Sequence, residues 1–175
     1  MRRVSHTKRE LHKSLNKLTM PLARLRQGLT AYRTTGAQVS WTYYLALLAD
    51  ACGNAGHTAE GLTLLTEALA LVDRHGEHFQ EAELYRLKGE LLLAHNPADP
   101  GAADTCIQQA LGIARRQHAQ SLELRATVSL ARLWQQQGKR AAARELLAPI
   151  YSWFTEGFDT ADLQEAKALL EALGT

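Results

Sequence analysis

The chain has 175 residues, 46% hydrophobic and only 6% aromatic, with a formal net charge of +2. That length holds one domain or one short array, and a mix rich in Ala, Leu, Gln, Glu and Arg favours helix over strand. No apolar stretch approaches the roughly 20 residues of a membrane span, the basic N-terminus lacks the apolar stretch of a secretory signal, and Cys52 and Cys106 form no metal or redox spacing, so a membrane span and a secreted disulfide scaffold are not expected and the chain is placed in the cytoplasm.

The first 33 residues carry nine Lys or Arg and one acid, Glu10, a block of about +8 that the rest of the chain offsets with about −6. Such a block is either an arm that touches nucleic acid or acidic lipid or, more commonly, a solvated helix face. Leu11, Leu15, Leu18, Leu22, Leu25, Leu29 and Tyr32 step by 4 and 3 in alternation, the heptad seam of a coiled coil. Pro21 would break one continuous helix there, so two helices meeting at Thr19–Pro21 are expected. A monomer is the expected state, and a dimer through the Leu11–Tyr32 seam is the alternative.

From that point an apolar quartet at i, i+3, i+4, i+7 recurs four times. It appears as Leu25, Gly28, Leu29, Tyr32, then as Leu65, Ala68, Leu69, Val72, then as Ile107, Ala110, Leu111, Ala114, and last as Leu147, Ile150, Tyr151, Phe154. Successive copies lie 40, 42 and 40 residues apart. Each quartet is one stripe of an α-helix, and a fixed period of this length signals stacked helical hairpins. The expected division is a basic segment over 1–20, a partial unit over 21–36, and full units over 39–76, 77–119 and 120–156. A last helix over 160–173 would cap the open core. Gly53–Gly56 should end the first helix of the first unit, with Thr58 as N-cap of its second helix and Gly76 at the end. In the second unit His95-Asn96-Pro97 stops the first helix and Asp99-Pro100 restarts the chain. In the third, Gly138 marks the turn and Pro149 should kink the second helix or remove one of its backbone bonds.

The hairpins resemble tetratricopeptide repeats. The small residues Ala49, Gly89 and Ala131 stand in the first helices. Gly61 with Ala68, Ala103 with Ala110, and Ala143 with Ile150 stand seven apart in the second ones. Small side chains let paired helices approach, while Leu65, Ile107 and Leu147 fill the space beside them. Two departures are the period, longer than the family's usual 34 residues, and Ile150 at a small position. Stretches such as 83–92, 123–126, 129–133 and 156–160 are similar to the long repeats at the C-terminus of bacterial signalling ATPases and cyclase-type regulators. The resemblance implies an all-α, right-handed α-solenoid of antiparallel hairpins with a C-terminal capping helix. It also implies a non-enzymatic, protein-binding role, with an ATPase or cyclase module as one candidate partner. No phosphate-binding loop is present, which suggests a detached or truncated tail of such a protein, or else a stand-alone adaptor.

In that family ligands lie on the concave face of the first helices. The resemblance carries this face to Tyr43, Ala46, Asp50 and Asn54, to Glu83, Arg86, Glu90 and Ala94, and to Arg125, Val128, Arg132 and Gln136. That mix of charges would suit an extended peptide or another domain, or would simply be solvated. No catalytic, cofactor or metal constellation is legible. His75 and His78 read as a solvated turn, and Glu77, Glu81 and Glu83 near Arg86 read as surface ion pairs. Nucleic-acid binding through the basic arm is the alternative function, and it would fall steeply with salt.

Overall fold

The computed structural model describes residues 22–34 and 40–174, and among them the regular structure is helical, with no strand. Helix α1 covers residues 22–34. It is followed by α2 (Trp41–Asn54), α3 (Thr58–His75), α4 (Glu81–His95), α5 (Gly101–Arg116), α6 (Gln120–Gln136), α7 (Arg140–Tyr151) and α8 (Ala161–Gly174), with a 3-10 turn at His78–Gln80. The basic segment 1–20, with Leu11, Leu15 and Leu18, lies outside the described residues.

The breakers act where expected. Gly56 (φ +81°) and Gly138 (φ +77°) turn the chain through the left-handed region between α2 and α3 and between α6 and α7. Between α3 and α4 the same conformation falls on Gly76 (φ +70°), but between α5 and α6 it falls on His118 (φ +54°). A side chain in that region costs about 1–2 kcal/mol, partly offset by the flexibility glycine adds to the unfolded chain. His118→Gly should therefore raise stability by up to about 1 kcal/mol, read from urea denaturation midpoints.

Two expected caps take another form. Thr58 is the first helical residue of α3 rather than its N-cap, a position held by His57. Its hydroxyl lies 3.0 Å from His95 Nδ1 on α4, a tertiary contact that local sequence cannot register. In α5 the N-cap is Pro100, and Asp99 Oδ1 still accepts from the Gly101 N–H at 3.3 Å. Helix α7 runs through Pro149 and ends two residues later; Pro149 has no N–H to offer the Glu145 carbonyl.

The helices pack as sequence neighbours in pairs, and α2–α4, α4–α6 and α6–α8 also touch in series. The small positions mark the close approaches. A Cβ on Gly89 of α4 would lie 2.5 Å from Ile107 Cγ1 and 2.9 Å from the Ala103 carbonyl on α5. Leu65, Ile107 and Leu147 are buried at those approaches. Ile150 joins the cluster of Leu163, Ala166 and Leu169 from α8, so the larger side chain fills the space at the last hairpin. Leu22 and Leu29 pack with Leu48 and Cys52, with Leu25 and Tyr44 beside them. The described half of the heptad seam thus docks α1 onto α2 within this chain. Trp134 sits against the core and its indole N–H donates to Asp104 Oδ1 at 3.1 Å.

Cys52 is fully buried and Cys106 half-buried, and burial pushes both thiols up from their ordinary range. Only a thiolate attacks a disulfide reagent. Ellman's reagent should therefore label Cys106 slowly and Cys52 only on unfolding; equal rates in the folded protein would contradict this packing.

Candidate functional site

The serial contact of α2, α4, α6 and α8 places one stripe of each helix along a shared cleft of about 330 Å³. It is lined by Asp50 and Asn54 from α2, Arg86 and Glu90 from α4, Arg125, Val128, Ser129 and Arg132 from α6, and Asp162 and Glu165 from α8. Only Val128 is apolar, so the cleft is a polar surface held between apolar hairpin cores.

Arg86 lines the cleft and is paired with Glu83 beneath it. Arg86 donates through Nε to Glu83 Oε2 at 2.9 Å and through Nη2 to Glu83 Oε1 at 2.7 Å, a bidentate fork. Its Nη1 reaches Glu90 Oε1 at 2.6 Å and Ser129 Oγ at 3.3 Å. Ser129 in turn donates to Glu90 Oε1 at 2.6 Å. Both Glu83 and Arg86 are only 8% exposed. This corrects the expectation of a surface ion pair: α6 lays Ser129 and Arg125 against the pair and shields it from water. Burial disfavours the charged guanidinium, but the hydrogen bonds and charges of Glu83 and Glu90 outweigh it and hold the Arg86 pKa above its ordinary value.

The other two arginines are engaged as well. Arg125 Nη2 lies 2.9 Å from Glu83 Oε1, and its Nε lies 3.9 Å from Asp162 Oδ1. Arg132 Nη1 lies 2.6 Å from Glu165 Oε1. Five carboxylates (Asp50, Glu83, Glu90, Asp162, Glu165) thus surround three guanidiniums, an excess of two negative charges. Among the described residues no cation lies within 4.0 Å of Asp50. Its nearest polar partner is Asn54, whose Nδ2 donates to Asp50 Oδ2 at 3.4 Å.

Partial desolvation in the cleft raises the Asp50 carboxyl above its ordinary value although the residue stays exposed; Arg86 and Arg125 pull it down, while the charges of Glu90 and Glu83 add to the rise. A carboxylate whose folded pKa is raised binds its proton more tightly folded than unfolded, so the ionised form costs stability at neutral pH. Asp50→Asn should therefore raise the melting temperature at pH 7. The gain should shrink as pH falls through the raised pKa and vanish below the ordinary aspartate range near pH 4. A melting temperature lowered at pH 7 would contradict this.

Of the residues expected on this face, Asp50, Asn54, Arg86, Glu90, Arg125, Val128 and Arg132 come together, with Glu83 paired beneath them. Tyr43, Ala46, Ala94 and Gln136 do not line the cleft. Tyr43 packs edge-on against Tyr44, and Gln136 is exposed at the end of α6. Ser129, Asp162 and Glu165 were missed. A signal for the last two existed: they stand 37 residues after Arg125 and Val128, in the same register carried one helix further.

Elsewhere, Arg26 of the basic block spends its charge on Glu60 at 2.6 Å, and His78 Nδ1 lies 2.9 Å from Glu81 Oε2. A wider hollow of about 800 Å³ lies between α5, α6 and α7, with Leu146, Pro149 and half-exposed Trp153 as its apolar wall and the Arg115–Glu123 pair on its rim. Among the described residues no group of three His, Cys, Asp or Glu is placed to hold a metal ion, and no helix is long and apolar enough to cross a membrane. Comparison with protein-family models and with curated proteins returns no match. What the geometry itself defines, among the described residues, is a series of packed helical hairpins with a charged cleft along one row of helices.

Proposed function

We propose that this chain is a non-enzymatic interaction module, a tetratricopeptide-like right-handed α-solenoid that binds a protein or peptide in the α2–α4–α6–α8 cleft. One observation carries the reading: every hairpin and α8 contribute polar side chains to a single cleft, the arrangement by which repeat arrays present extended binding surfaces. The period of 40 to 42 residues supports the repeat reading, and α8 takes the role of the capping helix. Its similarity to the tails of signalling ATPases and cyclase-type regulators makes such a module the first partner to try, in the cytoplasm.

The test is site-specific photo-crosslinking. A photoreactive amino acid is placed at the position of Asn54 or Arg132 in the cleft, and at Thr66 on α3 or Gln109 on α5, both exposed. Protein adducts from the cleft positions and none from α3 or α5 are expected. Equal adducts from all four would overturn the cleft as the binding face. Arg86 is unsuitable as a probe, because its charge is built into the fold.

A further inference from the structure

The cleft asks for a charge that it does not contain. Arg86 is shared by Glu83 and Glu90, Arg125 by Glu83 and Asp162, and Arg132 is taken by Glu165. Resting on the protein-binding reading above, we infer that the occupant is a basic peptide segment of a partner protein, which lodges a lysine or arginine side chain among Asp50, Asn54 and Glu90.

The acceptors left over match a cation. Asp50 uses one oxygen on Asn54, at 3.4 Å, and keeps the other. The Asn54 amide donates in that contact, which leaves its own oxygen as an acceptor. Glu90 Oε1 is taken by Arg86 and Ser129, and its second oxygen belongs to a side chain 40% exposed at the cleft. Two carboxylate oxygens and one amide oxygen suit the three donors of an ammonium group or one edge of a guanidinium. An acidic peptide would meet the excess negative charge and would compete with Glu83, Asp162 and Glu165 for the arginines. The direction of the Asp50 shift agrees with this placement: partial desolvation and the like charges of Glu90 and Glu83 raise its pKa, and an incoming cation would offset both. The volume of about 330 Å³ is that of a cleft for one or a few side chains.

The test uses the full chain, ¹⁵N-labelled, titrated at low ionic strength with hexalysine and separately with hexaglutamate. Hexalysine should shift the amides of Asp50, Asn54 and Glu90, with an affinity that falls as salt is added. The variant Asp50→Asn with Glu90→Gln, which keeps the shape of both side chains, should weaken hexalysine by roughly tenfold. Asp50→Asn alone, expected to fold at least as stably as the parent, should weaken it by about half that factor on a logarithmic scale. Hexalysine binding that is unchanged in both variants would overturn the inference. So would shifts of the cleft amides by hexaglutamate and not by hexalysine, or by neither peptide. In those last two cases, adducts from Asn54 or Arg132 in the crosslinking experiment would keep the protein-binding reading standing, and their absence would remove it too.

Discussion

Arg86→Met is expected to lower stability by about 3–5 kcal/mol, the cost of stranding a buried charge by removing its partner. Glu83 is 8% exposed and would keep only Arg125, whose side chain is 38% exposed, while the Glu90–Ser129 bond would lose its shared cation. For a chain of this length the loss corresponds to a fall in melting temperature of roughly 10 °C. Arg86→Lys should recover only part of it, because an ammonium cannot reproduce the two-pronged contact with Glu83 at 2.7 and 2.9 Å. Joining Glu83→Leu to Arg86→Met should restore most of the stability, since replacing both members of a buried pair by apolar groups is often neutral. A double variant less stable than either single one would show that the pair is worth more than its desolvation. This result would also explain why charge reversal at Arg86 cannot serve as a clean probe of binding: it would dismantle the cleft rather than discharge it.

Gly89→Ala should lower stability by about 2–3 kcal/mol, although the same change in an exposed helix would raise it by about 1 kcal/mol. The new methyl carbon would stand 2.5 Å from Ile107 Cγ1 and 2.9 Å from the Ala103 carbonyl oxygen. The isoleucine could rotate away, but the carbonyl belongs to the backbone of α5 and yields only if the two helices separate. Gly112→Ala in α5 is the matched control. The nearest atom to its new methyl would be the flexible end of Arg116 at 3.5 Å, so the helix gain of up to about 1 kcal/mol should appear there. Chemical denaturation of the two variants measures both signs in one experiment. Equal changes at the two glycines would mean that the hairpin of α4 and α5 is not closely packed at Gly89.

The helix boundaries were legible because their causes are local. Gly53–Gly56, Gly76, Asn96-Pro97 and Gly138 stop helices through their own backbone preferences, and the ends fall within a few residues of where those signals stand. The face itself came from the resemblance to tetratricopeptide repeats, and helical period groups part of it. Asp50 with Asn54, and Arg86 with Glu90, lie one helical turn apart, so periodicity alone puts each pair on one face. The charges could not be read in the same way. Ser129 meets Arg86 from 43 residues away, and Arg125 meets Glu83 from 42. Such pairs exist only after two helices have settled into one register, and a shift of one turn would exchange the partners.

By itself the sequence determined that the described chain is helical, where its hairpins turn, and that Asp50 with Asn54 and Arg86 with Glu90 share a helix face, because hydrophobic period and backbone preference act over a few residues. Only the tertiary structure decided that Glu83 and Arg86 are buried, that α8 completes the face with Asp162 and Glu165, and that all three cleft arginines are already answered while Asp50 is not. The reason is that Coulomb energy and desolvation depend on distance in space and on the water left between groups. Neither quantity exists until helices far apart in the chain come within reach of one another.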